Sequence, residues 1–195
     1  MPYVLTVDQR GSRRSGDLVD NALHLLAERV PTPQRAFERT AGDEFQGVLD
    51  NPADTLTAAL ALVRHGSWSV GIGAGPVEEP LARPTRAGRG PAFVHARVAL
   101  DTAKNRPHRV AVVGPDDRAH DADVLLTLVA ALISRRSDAG WEAIDLVESG
   151  LTVEAAANAL GISRQAVGQR LAVALWQQVR DARPLAERLL EEAAG

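Results

Sequence analysis

The sequence predicts an α/β fold in two parts. A ferredoxin-like sheet with helices on one face is expected over residues 1–118, and an all-α helix-turn-helix segment over 121–195. Three observations carry this. Strand and helix patterns alternate as β-α-β-β-α-β-α-β up to about residue 114. From about residue 121 the strand signals stop and apolar residues recur at helical spacing. Within that second texture, "SGLTVEAAANALGISRQAVGQRLAVALW" sets small, turn, capping and core residues at the positions a helix-turn-helix requires.

In order along the chain, "YVLTV" is a β-rich run ending in Asp8. Residues 17–30 carry Leu18, Ala22, Leu25 and Leu26 at helical spacing, and Pro31 and Pro33 stop that helix. "RAFERTA" and "FQGVL" read as two strands of a hairpin around Gly42, Asp43 and Glu44. Residues 50–66 read as a helix capped by Asn51, with Pro52 in its first turn and Gly66 at its exit. "SWSVGIGAG" is a strand whose glycines permit close backbone approach. After a loop rich in Pro, Arg and Gly, "GPAFVHARVALDTAK" is a helix and "RVAVVG" a strand. The acidic stretch 114–123 lacks the glycine and terminal glutamate of a calcium loop and reads as a solvated linker. Helices are then expected over 121–136, 138–149, 152–160, 164–181 and 185–194.

In the helix-turn-helix segment, Thr152 can cap the first helix, and Val153, Ala156 and Leu160 line its inner side. Gly161 supplies the tight turn, Ile162 a core contact and Ser163 the cap of the second helix. Val167 and Leu171 lie four apart on the buried face, so Arg164, Gln165, Gly168, Gln169 and Arg170 point outward. Arginine reads guanine and glutamine reads adenine through paired hydrogen bonds in the major groove, and the first turns of the second helix make such contacts. Ser163, Arg164, Gln165, Gln169 and Arg170 are therefore the expected contacts to double-stranded DNA.

Composition narrows the rest. The chain has 195 residues, 45% hydrophobic and 24% charged, which describes a globular protein with a sizeable core. Cysteine is absent, which removes disulfides, thiolate metal sites and cysteine nucleophiles and fits a reducing cytoplasm. No apolar run approaches the roughly 20 residues of a membrane span. The net charge of −3 means that DNA binding must rest on a local surface. Arg135, Arg136, Arg180 and Arg183 flank the motif against Glu142, Asp145, Glu148 and Glu154. That balance predicts salt-sensitive binding aided by homodimerisation. Leu175, Val179, Leu185 and Leu189 offer either a dimer contact or packing within the monomer.

Carboxylates at the ends of β-strands suggest a second chemistry. Asp8 ends the first strand and Asp43-Glu44 occupies the hairpin tip, where hard oxygen ligands could share one Mg²⁺ with a nucleotide. The turn at Gly11-Ser12 could face phosphate oxygens, with Arg10, Arg13 and Arg14 as counter-charges. The five histidines have no metal-site spacing, and His95 reads as a packed or surface residue.

"DQRGSR", "GDEFQ", "SVGIGAG" and "GPAFVHAR" together resemble the SatD family, itself similar to diverged palm-type nucleotide cyclases and GGDEF diguanylate cyclases. The resemblance covers roughly residues 3–113. It implies a cyclase-like palm with metal at Asp8 and Asp43, and Glu44 at the second acidic position of GGDEF. Nucleotide contacts would fall at Gly11, Ser12 and Arg97. Two departures stand out. The cyclases' ribose-orienting asparagine is absent, with Val94 or His95 near its place, and Ala41 replaces one loop glycine. Loss of such transition-state donors slows chemistry by orders of magnitude. The expectation is a cytoplasmic, DNA-binding transcriptional regulator with a degenerate cyclase-like sensing or dimerisation domain. No catalytic residue is assigned and no cofactor is required; Mg²⁺ and a nucleotide enter as optional ligands. A metal-dependent nucleotidyl cyclase is the alternative, and a protein-interaction module the third reading.

Overall fold

The computed structural model describes residues 1–12 and 16–195, so Arg13 and Arg14, expected as counter-charges, lie outside the described residues. The chain runs β1 (Tyr3–Gln9), α1 (Val19–Arg29), β2 (Arg35–Ala41), β3 (Glu44–Leu49), α2 (Pro52–His65), β4 (Trp68–Ala74), α3 (Pro91–Lys104) and β5 (Val110–Val113). Five helices follow: α4 (Arg118–Ile133), α5 (Asp138–Glu148), α6 (Val153–Leu160), α7 (Arg164–Val173) and α8 (Trp176–Ala194). The class is α/β, with a five-stranded mixed sheet ordered β2-β3-β1-β4-β5. β1, β2, β3 and β4 pair antiparallel, while β4 and β5 pair parallel.

Alternation along β1 sorts the two faces of the sheet. Tyr3, Leu5 and Val7 join the main core with Leu26, Leu56, Leu62, Ile72 and Leu126. Val4 turns to the other face, against Ala92 and Ala96 of α3. Helices therefore cover both faces, not one as the β/α order had implied. The cause is visible in β4: a Cβ on Gly71 or Gly73 would come closer than 3.0 Å to backbone atoms of α3. Only glycine lets that helix lie so near the strand, as the GIGAG pattern had predicted.

Local signals set most boundaries. Asn51 accepts from the Asp54 amide at 2.8 Å, Pro52 opens α2, and Gly66 closes it in the left-handed region at φ 78°. The stretch 114–123 is not a linker throughout. From Arg118 it is helical, and Asp123 is buried, accepting from Arg106 at 2.6 and 2.8 Å and from the Val112 amide at 2.8 Å.

Two boundaries differ from expectation. The helix expected over 164–181 ends at Val173, because Leu175 takes φ 49° and starts a new axis. That new helix runs through Pro184, where a break was expected. Apolar packing on both sides of the proline, by Val179, Ala186 and Leu190, outweighs the roughly 3 kcal/mol a helix-interior proline costs.

The core does not divide at residue 118. α4 and α8 complete the core on the sheet's main face, and the Tyr3 hydroxyl donates to the Leu190 carbonyl at 3.0 Å. α5, α6 and α7 instead gather around their own cluster of Ile144, Ala156, Val167 and Leu171. Trp141 touches both cores.

Candidate functional site

The α6–α7 pair is built by short-range rules. Thr152 accepts from the Ala155 amide at 3.1 Å and Ser163 from the Ala166 amide at 3.1 Å, capping the two helices. Gly161 turns the chain between them at φ 66°, where a side chain would be strained. Ala156 and Val167 are fully buried, so the two axes are pinned by small and β-branched contacts.

α7 buries only Val167 and Leu171. Ser163, Arg164, Gln165, Gly168 and Gln169 are exposed, and Arg164 takes part in no ion pair among the described residues. Arg170 behaves differently: it is half-buried and turns back to Glu142 at 3.2 Å. Beside this face runs a groove of about 390 Å³, lined by Arg135, Gln169, Arg170 and Val173. Of the other flanking arginines, Arg180 stacks on Trp176 and Arg183 donates to Thr57 on α2. Val179 and Leu189 pack into their own chain's core, leaving Leu175 and Leu185 partly outside.

The carboxylates occupy the sheet face covered by α3. Register sets Asp8 directly opposite Glu44 across β1 and β3. Each is already held by a cation from α3. Lys104 Nζ donates to Asp8 Oδ2 at 2.9 Å, and Arg97 donates to both Glu44 oxygens at 2.6 and 2.8 Å. Thr40 adds a bond to Glu44 Oε1 at 3.0 Å. The hydrogen bonds to Glu44 raise the Arg97 pKa further above its ordinary value. Asp43 stays at the hairpin tip, its carbonyl accepting from the Gln9 amide at 3.2 Å. No group of three His, Asp or Glu side chains among the described residues could hold a metal ion. Asp8 and Glu44 are thus each engaged by an α3 cation.

Gly11, at φ 64°, borders an open groove of about 640 Å³ together with Asp8, Ser69, Lys104 and Arg109, while Ser12 is half-buried. Arg97 is committed to Glu44. Val94 is exposed, and His95 Nδ1 sits 2.8 Å from the Ala74 carbonyl, a packed histidine as expected. Sequence reasoning missed Lys104 and Arg97 as the partners of the carboxylates. Their seven-residue spacing on one helix face was the available signal.

Comparison with family models, curated proteins and solved structures finds no match to this chain.

Proposed function

We propose that the protein is a DNA-binding transcriptional regulator in which α6 and α7 act as a helix-turn-helix and α7 enters the major groove. One observation supports this above all. Arg164, Gln165 and Gln169 stand exposed on the first turns of a helix that is capped by Ser163 and anchored only through Val167 and Leu171. Those side chains match the donor and acceptor pattern of base edges, and rigid seating of the helix fixes their positions. Arg135 and Arg170, beside the same face, would neutralise phosphates, with Arg170 released from Glu142 on binding.

On this reading the sheet is a ferredoxin-like, cyclase-related palm that no longer carries out cyclase chemistry. Its strand order supports the palm comparison, and its α3 cations argue against phosphoryl transfer, since Lys104 and Arg97 occupy the carboxylates that a metal would need. The operator would be read by a homodimer, two copies of α7 meeting half-sites about one helical turn apart.

Selection of random duplex DNA on the purified protein tests the reading. Enrichment of a consensus that is lost with Gln165→Ala and Arg164→Ala, both still folded, is the expected result. Retention without any consensus, or equal retention by the variants, would end it.

A further inference from the structure

A further cavity, of about 340 Å³, opens where the strand ends meet the α4–α5 turn, and its walls carry a concentration of positive charge. Arg10, Arg64, Arg109 and Arg136 line it together with Trp68 and Trp141; His108 also borders it, and Asp138 is the only acid among its described lining residues. Arg64 is spent on Asp145 at 2.6 Å. The other three form no ion pair among the described residues, and each is aimed by one backbone carbonyl. Arg10 donates to Gly66 at 3.2 Å, Arg136 to Ala174 at 2.8 Å, and Arg109 to Lys104.

Two buried donors in the same walls have no acceptor among the described residues. Arg136 Nη2 and Trp68 Nε1 are shut off from solvent without a hydrogen-bond partner, and Trp68 is 2% exposed. A buried donor left without an acceptor loses the full solvation of that group, so it marks a place where a bonded partner is missing. Burial, with no carboxylate bonded to it, also holds the Arg136 pKa below the ordinary guanidinium range. Arg109 adds backbone strain at φ 54°, outside the region that side chains favour. Arg136 also lies 4.7 Å over the Trp141 ring. Arginines without ion pairs, buried donors and a strained arginine all lie around one cavity of a size that suits a small ligand.

We propose that this cavity binds a small phosphate-bearing anion, held by Arg10, Arg109 and Arg136 and bounded by Trp68 and Trp141. Guanidinium forks match the geometry of phosphate oxygens and bind them through paired bonds. Trp68, Arg10 and Arg109 come from the sheet body, whereas Arg136 and Trp141 lie at the root of the α5–α7 cluster. An anion here would bridge the two cores and stiffen the joint between them. Arg10 and Arg109 also border the groove beside Asp8 and Lys104, and Arg136 borders the groove beside α7, so the cavity lies between those two surfaces; its test does not depend on DNA binding.

The test titrates inorganic phosphate, pyrophosphate and a nucleoside 5′-monophosphate into the full chain, with sodium chloride at matched ionic strength as control. Tryptophan fluorescence reads the cavity, because two of the three tryptophans line it. A saturable change with at least one phosphate probe and none with chloride is expected. Arg10→Gln and Arg109→Gln should each weaken it about tenfold, as loss of a charge-assisted bond does. Circular dichroism confirms that both variants fold, and the conservative Arg109→Lys should recover part of the affinity. No saturable change with any of the three probes would overturn the proposal, as would affinities that both glutamine variants leave unchanged. So would a response that duplex DNA alone elicits through these arginines, since the cavity would then serve the nucleic-acid backbone.

Discussion

Arg64 of α2 grips Asp145 of α5 through two hydrogen bonds of 2.6 Å each, and its guanidinium stacks 4.0 Å above the Trp141 ring. Among the described residues this is the one ion pair that joins the α5–α7 cluster to the sheet body. Both side chains are partly exposed, 31% and 49%, so solvent screens the pair and its net worth is under about 1 kcal/mol. Asp145→Asn should barely lower global stability yet loosen the joint. Hydrogen exchange should speed up across α5, α6 and α7 while the amides of β1 and β4 keep their protection. Uniform acceleration throughout the chain would show that the cluster has no independence.

The glycines make opposite predictions according to what surrounds them. Gly71→Ala or Gly73→Ala drives a methyl into the backbone of α3 and should lower stability by about 1–3 kcal/mol or more. Gly168 sits within α7 with nothing inside 4 Å of its added methyl. Gly168→Ala should raise stability by up to about 1 kcal/mol, because alanine loses less backbone entropy in a helix. Urea unfolding of the three variants checks both signs.

Tyr3 is the single tyrosine, so its phenolate absorbance reports one group. Burial first, and the nearby Glu191 charge second, push its pKa up from 10.0 to about 12. The neutral phenol is the form bonded to Leu190 in the fold. Its contribution is complete below pH 10 and disappears as pH climbs through about 12. Titration of the folded protein should give a midpoint near the higher value and titration in urea one near the lower. Tyr3→Phe should remove this share of the alkaline stability loss and cost roughly 1 kcal/mol at neutral pH.

The α3 cations decide whether Asp8 and Glu44 are open to a metal. Wild-type protein should show no thermal shift with Mg²⁺ or Mn²⁺ beyond a matched salt control. Replacing both cations, Lys104→Met with Arg97→Met, frees two facing carboxylates and should create weak, saturable Mn²⁺ binding. Equal Mn²⁺ binding by wild type would mean that Lys104 and Arg97 give way readily, and would restore the metal-dependent reading.

How much of this was legible in the sequence varied with the range of the interaction. Asn51, Gly66, Thr152, Gly161 and Ser163 act on their nearest neighbours, so their roles could be read directly from local pattern. The break at Leu175 could not, because a leucine in the left-handed region leaves no mark in composition. Pro184 carried a strong local signal for a break, but burial of the residues on both sides overrode it. Asp8 and Glu44 face each other across β1 and β3, yet Lys104 lies 96 residues from Asp8, and only the sheet and α3 together bring them into contact. The arginine-lined cavity was hidden for the same reason: its walls come from distant stretches of the chain that meet only at the joint.

Hydrogen-exchange protection measured with and without a selected duplex decides whether α7 is the proposed DNA-reading surface. New protection is expected over Ser163 to Arg170, weaker at high salt and absent in Arg164→Ala, Gln165→Ala double-variant protein. Protection that appears elsewhere while those residues exchange as they do in the free protein would contradict it.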